Sequence, residues 1–207
     1  MIASRPKIYL ASRSPRRREL LRQIGVGFEV LLLREHSGRA ADVDESPHDR
    51  ESPDDYVRRV CCAKAAIGWS RVMERQLPRY PVLAADTTVC LDGEILGKPE
   101  NGADAARMLR VLSGREHRVL TAVALQLDQR AEMVVSESRV RFQTLSEAQI
   151  AAYVESGEPM GKAGAYAIQG RAAAFVPELH GSYTGVMGLP LHETALLIQR
   201  FTPVVPA

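Results

Sequence analysis

Val82-Leu83-Ala84-Ala85-Asp86-Thr87-Thr88-Val89-Cys90-Leu91-Asp92-Gly93-Glu94-Ile95-Leu96 is the stretch that decides the fold of this chain. Residues 82–91 form an apolar run with one carboxylate inside it, and the run stops at Asp92-Gly93. An Asp-Gly pair accepts the positive φ angles of a two-residue turn, so the stretch predicts a hairpin with residues 94–96 as the return strand. Asp86 is the anomaly. A carboxylate within an apolar strand is costly unless it is paired, hydrogen-bonded or bound to a metal. It can hold a hard cation or take a proton from water. A structural aspartate bonded to nearby N–H groups fits the same pattern, and Thr87 and Thr88 support either role. The hairpin also returns Gly97-Lys98-Pro99 toward Asp86, where Lys98 has the chemistry to meet a phosphate as a point charge. An ordinary surface lysine is the alternative.

Upstream, residues 8–11 read as a short strand. Ser12-Arg13-Ser14-Pro15 breaks it, and Leu20, Leu21 and Ile24 then recur at helical spacing before Gly25. Ser14 is the expected N-cap. Arg16, Arg17 and Arg18 follow, where the helix macrodipole favours acids and a capping box would place Glu or Gln at position 17. That order is unfavourable unless an anion sits at the helix start, and a phosphate chain would supply one. Taken alone, the run fits a solvated basic turn equally well.

Residues 28–33 predict a second strand, 34–53 a polar loop and 54–76 a long helix with Tyr56, Val60, Ala63 and Ile67 on one face. Periodicity puts Arg59 and Lys64 on its charged outer face. Downstream, 103–112 reads as a helix and 118–127 and 132–142 as strands joined at Asp128-Gln129-Arg130. Residues 146–155 form a helix capped by Ser146, 157–170 a glycine-rich loop, 173–176 a short strand and 191–201 a last helix behind Pro190. Gln169 in the glycine-rich loop carries both a donor and an acceptor, as reading a base edge requires. Tyr166 can stack or pack. Strands and helices mix without strict alternation, which predicts a mixed α/β fold.

The composition narrows the function. The chain has 207 residues and a formal net charge of +2, too small to indicate nucleic-acid or membrane binding. No apolar run is long enough to span a bilayer, and the basic start lacks an export-type apolar region. The three cysteines have neither disulfide nor zinc spacing, which fits free thiols in a reducing cytoplasm. The five histidines lack metal-ligand spacing. Neither a GxSxG elbow nor a Walker-type loop is present.

Four blocks together closely resemble the Maf family of nucleotide pyrophosphatases: Leu10-Ala11-Ser12-Arg13-Ser14-Pro15-Arg16-Arg17-Arg18-Glu19-Leu20-Leu21, Ala85-Asp86-Thr87 with Gly97-Lys98-Pro99, Lys162-Ala163-Gly164-Ala165-Tyr166-Ala167-Ile168-Gln169-Gly170, and Gly181-Ser182-Tyr183 with Gly188-Leu189-Pro190-Leu191. The resemblance covers nearly the whole chain. It implies a single domain over residues 1–207 with a mixed twisted sheet, flanking helices and two lobes around a cleft, similar to the inosine triphosphatase fold. It implies hydrolysis between the α- and β-phosphates of a nucleoside triphosphate with a divalent cation, Mg²⁺ or Mn²⁺. Asp86 is the implied proton acceptor, with Arg17, Lys64 and Lys98 as catalytic partners and Asp86 with Glu45 as metal ligands. Ser12, Arg16, Thr87 and Gln169 are the implied substrate-binding and specificity residues. The 165–169 block looks like the subfamily acting on dTTP and UTP. The alternatives are the sister activity on 7-methyl-GTP and a nucleotide-binding regulator of septum formation. The resemblance further implies a cytoplasmic homodimer with a house-cleaning role in nucleotide metabolism. Two departures stand out: a longer stretch between Val30 and Glu45, through residues 34–39, and the Cys61-Cys62 pair.

Overall fold

In the computed structural model, which describes residues 7–34 and 41–201, the elements run β1 (Lys7–Leu10), α1 (Pro15–Gln23), β2 (Gly27–Val30), α2 (Pro53–Glu74), β3 (Val82–Leu91), β4 (Glu94–Leu96), α3 (Gly102–Leu112), β5 (Glu116–Leu127), β6 (Arg130–Arg141), α4 (Glu147–Glu155), β7 (Glu178–His180), α5 (Tyr183–Val186) and α6 (Leu191–Phe201). The seven strands form one sheet in the order β2-β1-β3-β5-β6-β7, with β4 attached to the end of β3. β1 pairs parallel with β2 and β3, while the β3-β5-β6-β7 ladders are antiparallel. The fold is therefore the expected mixed α/β sheet with flanking helices. The Asp92-Gly93 turn forms with both φ angles positive, at 54° and 85°, the geometry that matches the twist of paired strands.

Side-chain alternation along β3 divides the core. Val82, Ala84 and Cys90 face α2 and pack with Val57, Cys61, Ala65 and Trp69. On the opposite face, Leu83 and Ala85 pack with Leu20 and Leu21 of α1 and Leu197 and Ile198 of α6. Farther along that face, Val89 and Leu91 join a separate cluster with Leu109 of α3, Ile150 and Tyr153 of α4, and Phe142 and Phe175. β5 repeats the division, with Val123 and Leu125 in the first cluster and Val119 in the second. Thr87 and Thr121 are register partners at the boundary between these two apolar bodies. The sheet is continuous across that boundary, and a cleft opens over it.

Local caps behave as the sequence predicts. The Ser14 Oγ accepts from the Arg17 amide, and Ser146 forms a full capping box with Gln149. Other expectations need correction. Residues 171–175 form a 3₁₀ turn and not a strand at 173–176, closed by Ala173 N–H to the Gly170 carbonyl and Val176 N–H to the Ala173 carbonyl. The strand expected at 28–33 ends at Val30. The buried face of α2 is Val57, Val60, Cys61, Ala65, Gly68, Trp69 and Val72, rotated from the expected one. The stretch 181–190, read from its glycines as a loop leading into the last helix, contains the short helix α5. The lengthened stretch expected at residues 34–39 falls mainly on 35–40, outside the described residues.

Candidate active site

Asp86 continues the α2-facing side of β3 and is only 7% exposed. Lys64 of α2 meets it there: the ammonium donates to Asp86 Oδ1 at 2.7 Å and lies 2.9 Å from Glu45 Oε1. Periodicity had placed Lys64 outside, yet its side chain is 13% exposed. The reason is the rotated helix face: position 64 is seven residues after Val57 and four after Val60, on the buried stripe. Burial pulls the Lys64 ammonium toward neutrality, but Asp86 and Glu45 outweigh it and raise its pKa. Burial likewise opposes the Glu45 charge, and Lys64 and then Lys98 hold its carboxyl below the ordinary range. The hairpin carries Lys98 into the cleft, where its ammonium donates to Glu45 Oε2 at 3.4 Å. The recorded partner of Lys98 is thus Glu45, which shares Lys64 with Asp86.

Glu45 is held through its backbone. The Tyr56 hydroxyl donates to the Glu45 carbonyl at 2.8 Å. Arg59 donates to the carbonyls on either side, Asp44 at 3.1 Å and Ser46 at 2.9 Å, and grips Glu51 at 2.6 and 2.8 Å. Asp42 is clamped between Arg34 and Arg71. Burial opposes ionisation of Asp42, but these donors carry its carboxyl down to about 2. The segment 41–51 is therefore fastened to α2 by Tyr56, Arg59, Lys64 and Arg71. Sequence reading gave Arg59 an outer-face role and did not single out the Tyr56 contact. The signal available was the spacing of 56, 59 and 64 on one side of a helix that follows a polar loop.

On the other face of β3, α1 begins with no acid in its first turn. The Arg17 guanidinium folds under the helix start. Nε donates to the Gly188 carbonyl at 2.7 Å, Nη1 to Ser12 Oγ at 3.3 Å and Nη2 to Thr87 Oγ1 at 3.2 Å. Thr87 Oγ1 lies 3.0 Å from Thr121 Oγ1, whose hydroxyl donates to the Gly185 carbonyl at 2.8 Å. This chain ties β3, β5 and the segment after β7 together at the boundary between the two apolar bodies. The acceptors recorded for Arg17 are neutral, so its charge remains available to an anion. Burial pushes its pKa down while Asp86 resists. Arg16, beside it, has a buried Nε without a hydrogen-bond partner, and burial lowers its pKa as well. An anion at this helix start would meet both side chains and the free N–H groups of the first turn.

The glycine-rich segment 161–170 closes the far side. The Gly164 amide donates to the Gly97 carbonyl at 3.0 Å. Its φ is +67°, and a Cβ there would lie 2.8 Å from Val89 Cγ1, so only glycine allows this docking. Tyr166 packs: it is buried edge-on against His117 and Phe142, with its hydroxyl 2.9 Å from His117 Nε2. Burial pushes the His117 imidazole down to about 4. Through the Tyr166 hydroxyl this histidine anchors the loop.

Ser12, Arg16, Arg17, Glu45, Lys64, Asp86, Thr87, Lys98 and Gln169 thus line one cleft of about 790 Å³. Gln169 is exposed at its wall. Seven Lys and Arg residues line the cleft against three carboxylates, on a chain whose net charge is only +2. Such a concentration of positive charge suits a polyanion. Among the described residues there is no group of three His, Cys, Asp or Glu able to hold a metal by itself. Asp86 and Glu45 offer two hard oxygen donors on one ammonium. That set fits a small divalent cation whose remaining ligands come from phosphate and water.

The Maf-like protein family model matches residues 7–201. Curated relatives include the dTTP/UTP pyrophosphatases of Aromatoleum aromaticum, 58% identical over 94% of this chain and 95% of that protein, and of Nitrosomonas europaea, 56% identical over 93% of each. A third, the dTTP/UTP pyrophosphatase of Ralstonia nicotianae, is 58% identical over 96% of this chain and 95% of that protein. The solved structure of the Staphylococcus aureus Ham1 protein aligns at 15% identity and a TM-score of 0.42, covering 66% of this chain and 71% of that one. With a matched span that takes in both faces of the cleft and the sheet beneath it, the chain belongs to the Maf family.

Proposed function

We propose that this protein hydrolyses dTTP and UTP, together with modified pyrimidine triphosphates, to the monophosphate and pyrophosphate. The observation that carries the reading is Asp86, a buried strand carboxylate opening onto a cleft with a large excess of cations. The pyrimidine preference is supported by the names of the relatives. Water attacks the α-phosphorus, a new O–P bond forms, and the bond to the bridging oxygen of the β-phosphate breaks. Pyrophosphate leaves with that electron pair, and Asp86 accepts the proton of the attacking water. Lys64 fixes the Asp86 carboxylate on its Oδ1 side. Arg16, Arg17 and Lys98 meet charge on the phosphates, the main task in such chemistry. Ser12 and Thr87 orient Arg17, and Gln169 reads the base edge. Mg²⁺ or Mn²⁺, held by Asp86 and Glu45, would neutralise phosphate charge. The same reading makes the protein a cytoplasmic homodimer, as the family resemblance implies.

Asp86→Asn preserves shape and removes the proton acceptor. Turnover of dTTP should fall by on the order of 10²–10⁴-fold while nucleotide still binds. Near-normal hydrolysis by Asp86→Asn at saturating metal would remove Asp86 from this role.

A further inference from the structure

Gln169 has no hydrogen bond of its own recorded, yet the backbone on both sides of it is tied to one pair of side chains. The Tyr153 hydroxyl, from α4, accepts from the Ala167 amide at 3.2 Å and donates to Glu158 Oε1 at 2.8 Å. Glu158 Oε2 accepts from the Arg171 amide at 3.1 Å, and the Ala172 amide also donates to this carboxylate. Ala167 and Arg171 lie two residues before and two after Gln169. A Cβ on Gly170 would run into both carboxylate oxygens of Glu158, so the glycine beside Gln169 is what lets this carboxylate reach the chain. Lys162 completes the ring by donating to the Glu158 carbonyl.

Glu158 also acts electrostatically on the cleft: burial lowers the Arg16 pKa, and the Glu158 carboxylate opposes that shift. Burial opposes ionisation of Glu158, and the Arg171 amide and Tyr153 hydroxyl outweigh it, so the carboxylate is held below its ordinary pKa. An ionised carboxylate accepting from backbone amides is a strong, directional anchor. It therefore fixes the backbone on both sides of Gln169, from α4 and the segment behind the loop.

We infer that Tyr153 and Glu158 are positioning residues for base selection, setting where Gln169 stands without touching the nucleotide. This rests on the proposed pyrophosphatase reading. The pair should control discrimination between bases and leave the chemistry at the α-phosphorus, which Asp86 serves from β3, largely intact. A hydrogen-bonding site loses selectivity when its donors and acceptors are displaced, and small displacements suffice.

The test measures kcat and KM for dTTP, UTP, CTP and GTP, with nucleotide Kd, in the wild type, Tyr153→Phe, Glu158→Gln, Glu158→Ala and Gly170→Ala. Gln169→Ala serves as the reference for lost base reading. Thermal melts confirm folding, and Tyr153→Phe, which removes a single hydroxyl, remains informative if a bulkier change fails to fold. Glu158→Ala and Tyr153→Phe are expected to raise KM for dTTP by on the order of tenfold, with kcat changed less than about threefold. The dTTP-to-CTP preference should shrink in the same direction as in Gln169→Ala, and Glu158→Gln should recover part of it. An equal fall in kcat/KM on all four nucleotides, or an unchanged preference, would overturn the inference. A wild type that hydrolyses and binds none of the four would instead refute the underlying reading.

Discussion

Replacing Lys64 by Met removes the ammonium between two carboxylates while keeping most of the stem volume. At 2.7 and 2.9 Å, each contact is worth ~6 kcal/mol of attraction at an effective dielectric of about 20. Desolvation of a side chain only 13% exposed cancels much of that. What remains after substitution is Asp86 beside Glu45 with no cation between them. Breaking a buried pair in this way costs ~3–5 kcal/mol. Glu45, 35% exposed, retains some solvation, which favours the lower end. A loss of ~3 kcal/mol should lower Tm by roughly 6–12 °C for a chain of this size. The pH dependence has a defined sign. Burial opposes the Glu45 charge and Lys64 is the first group that counters it, so without Lys64 the folded-state affinity of Glu45 for a proton rises above that of the unfolded chain. Lowering the pH from 7 to 5 should then return part of the lost stability in the variant. Lys64→Met with Asp86→Asn should be more stable than the sum of the two single changes implies. Urea and thermal melts of the single and double variants at both pH values provide the measurement. If Lys64→Met melts within 1 °C of the wild type at pH 7, without recovery on acidification, Lys64 is a solvated cation and the account of the carboxylate pair is wrong.

Two further expectations follow from the anchors of the cleft. His117 is buried with its pKa lowered to about 4, below the ordinary 6.5, so the fold keeps it neutral while the unfolded chain takes up a proton. Its contribution is intact above about pH 6.5 and is lost as pH falls toward 4, a change of ~3 kcal/mol in all. Urea melts between pH 7 and about 5, above the range in which the carboxylates of the unfolded chain take up most of their protons, should show this slope, and His117→Gln should flatten it; an unchanged slope would refute the assignment. Arg59→Ala should release the backbone around Glu45, seen as faster amide exchange across residues 44–51 with β3 and β5 still protected. Wild-type exchange in that segment would show that Arg59 does not fasten it.

What the sequence made legible was local. The Asp92-Gly93 hairpin, the Ser14 and Ser146 caps and the carboxylate anomaly at Asp86 depend on neighbours a few residues away, and each formed where expected. The orientation of Lys64 was not read correctly because two faces of α2 carry apolar residues, and Tyr56, Ala63 and Ile67 compete with Val57, Cys61 and Ala65 for the buried stripe. The 3₁₀ turn at residues 171–175 looked like a strand because Ala173 to Val176 is apolar, while its cause is tertiary: the Glu158 carboxylate holds the Arg171 amide from a segment 13 residues earlier. Arg59 likewise looked like surface charge, because its partners, the Asp44 and Ser46 carbonyls and the Glu51 carboxylate, lie in the loop before the helix and meet it only in the fold. The candidate site residues could be gathered by resemblance, but the ties that hold them in one cleft required the fold.

The most direct test of the central claim is hydrolysis of dTTP in ¹⁸O-labelled water with Mg²⁺ or Mn²⁺, measuring dTMP, pyrophosphate and the position of the label. The account predicts dTMP and pyrophosphate in equal amounts with ¹⁸O in dTMP, and the same pattern with UTP. Label in orthophosphate with dTDP as product would place the attack at the wrong phosphorus. Absence of product from both nucleotides with either metal would contradict the proposed activity altogether.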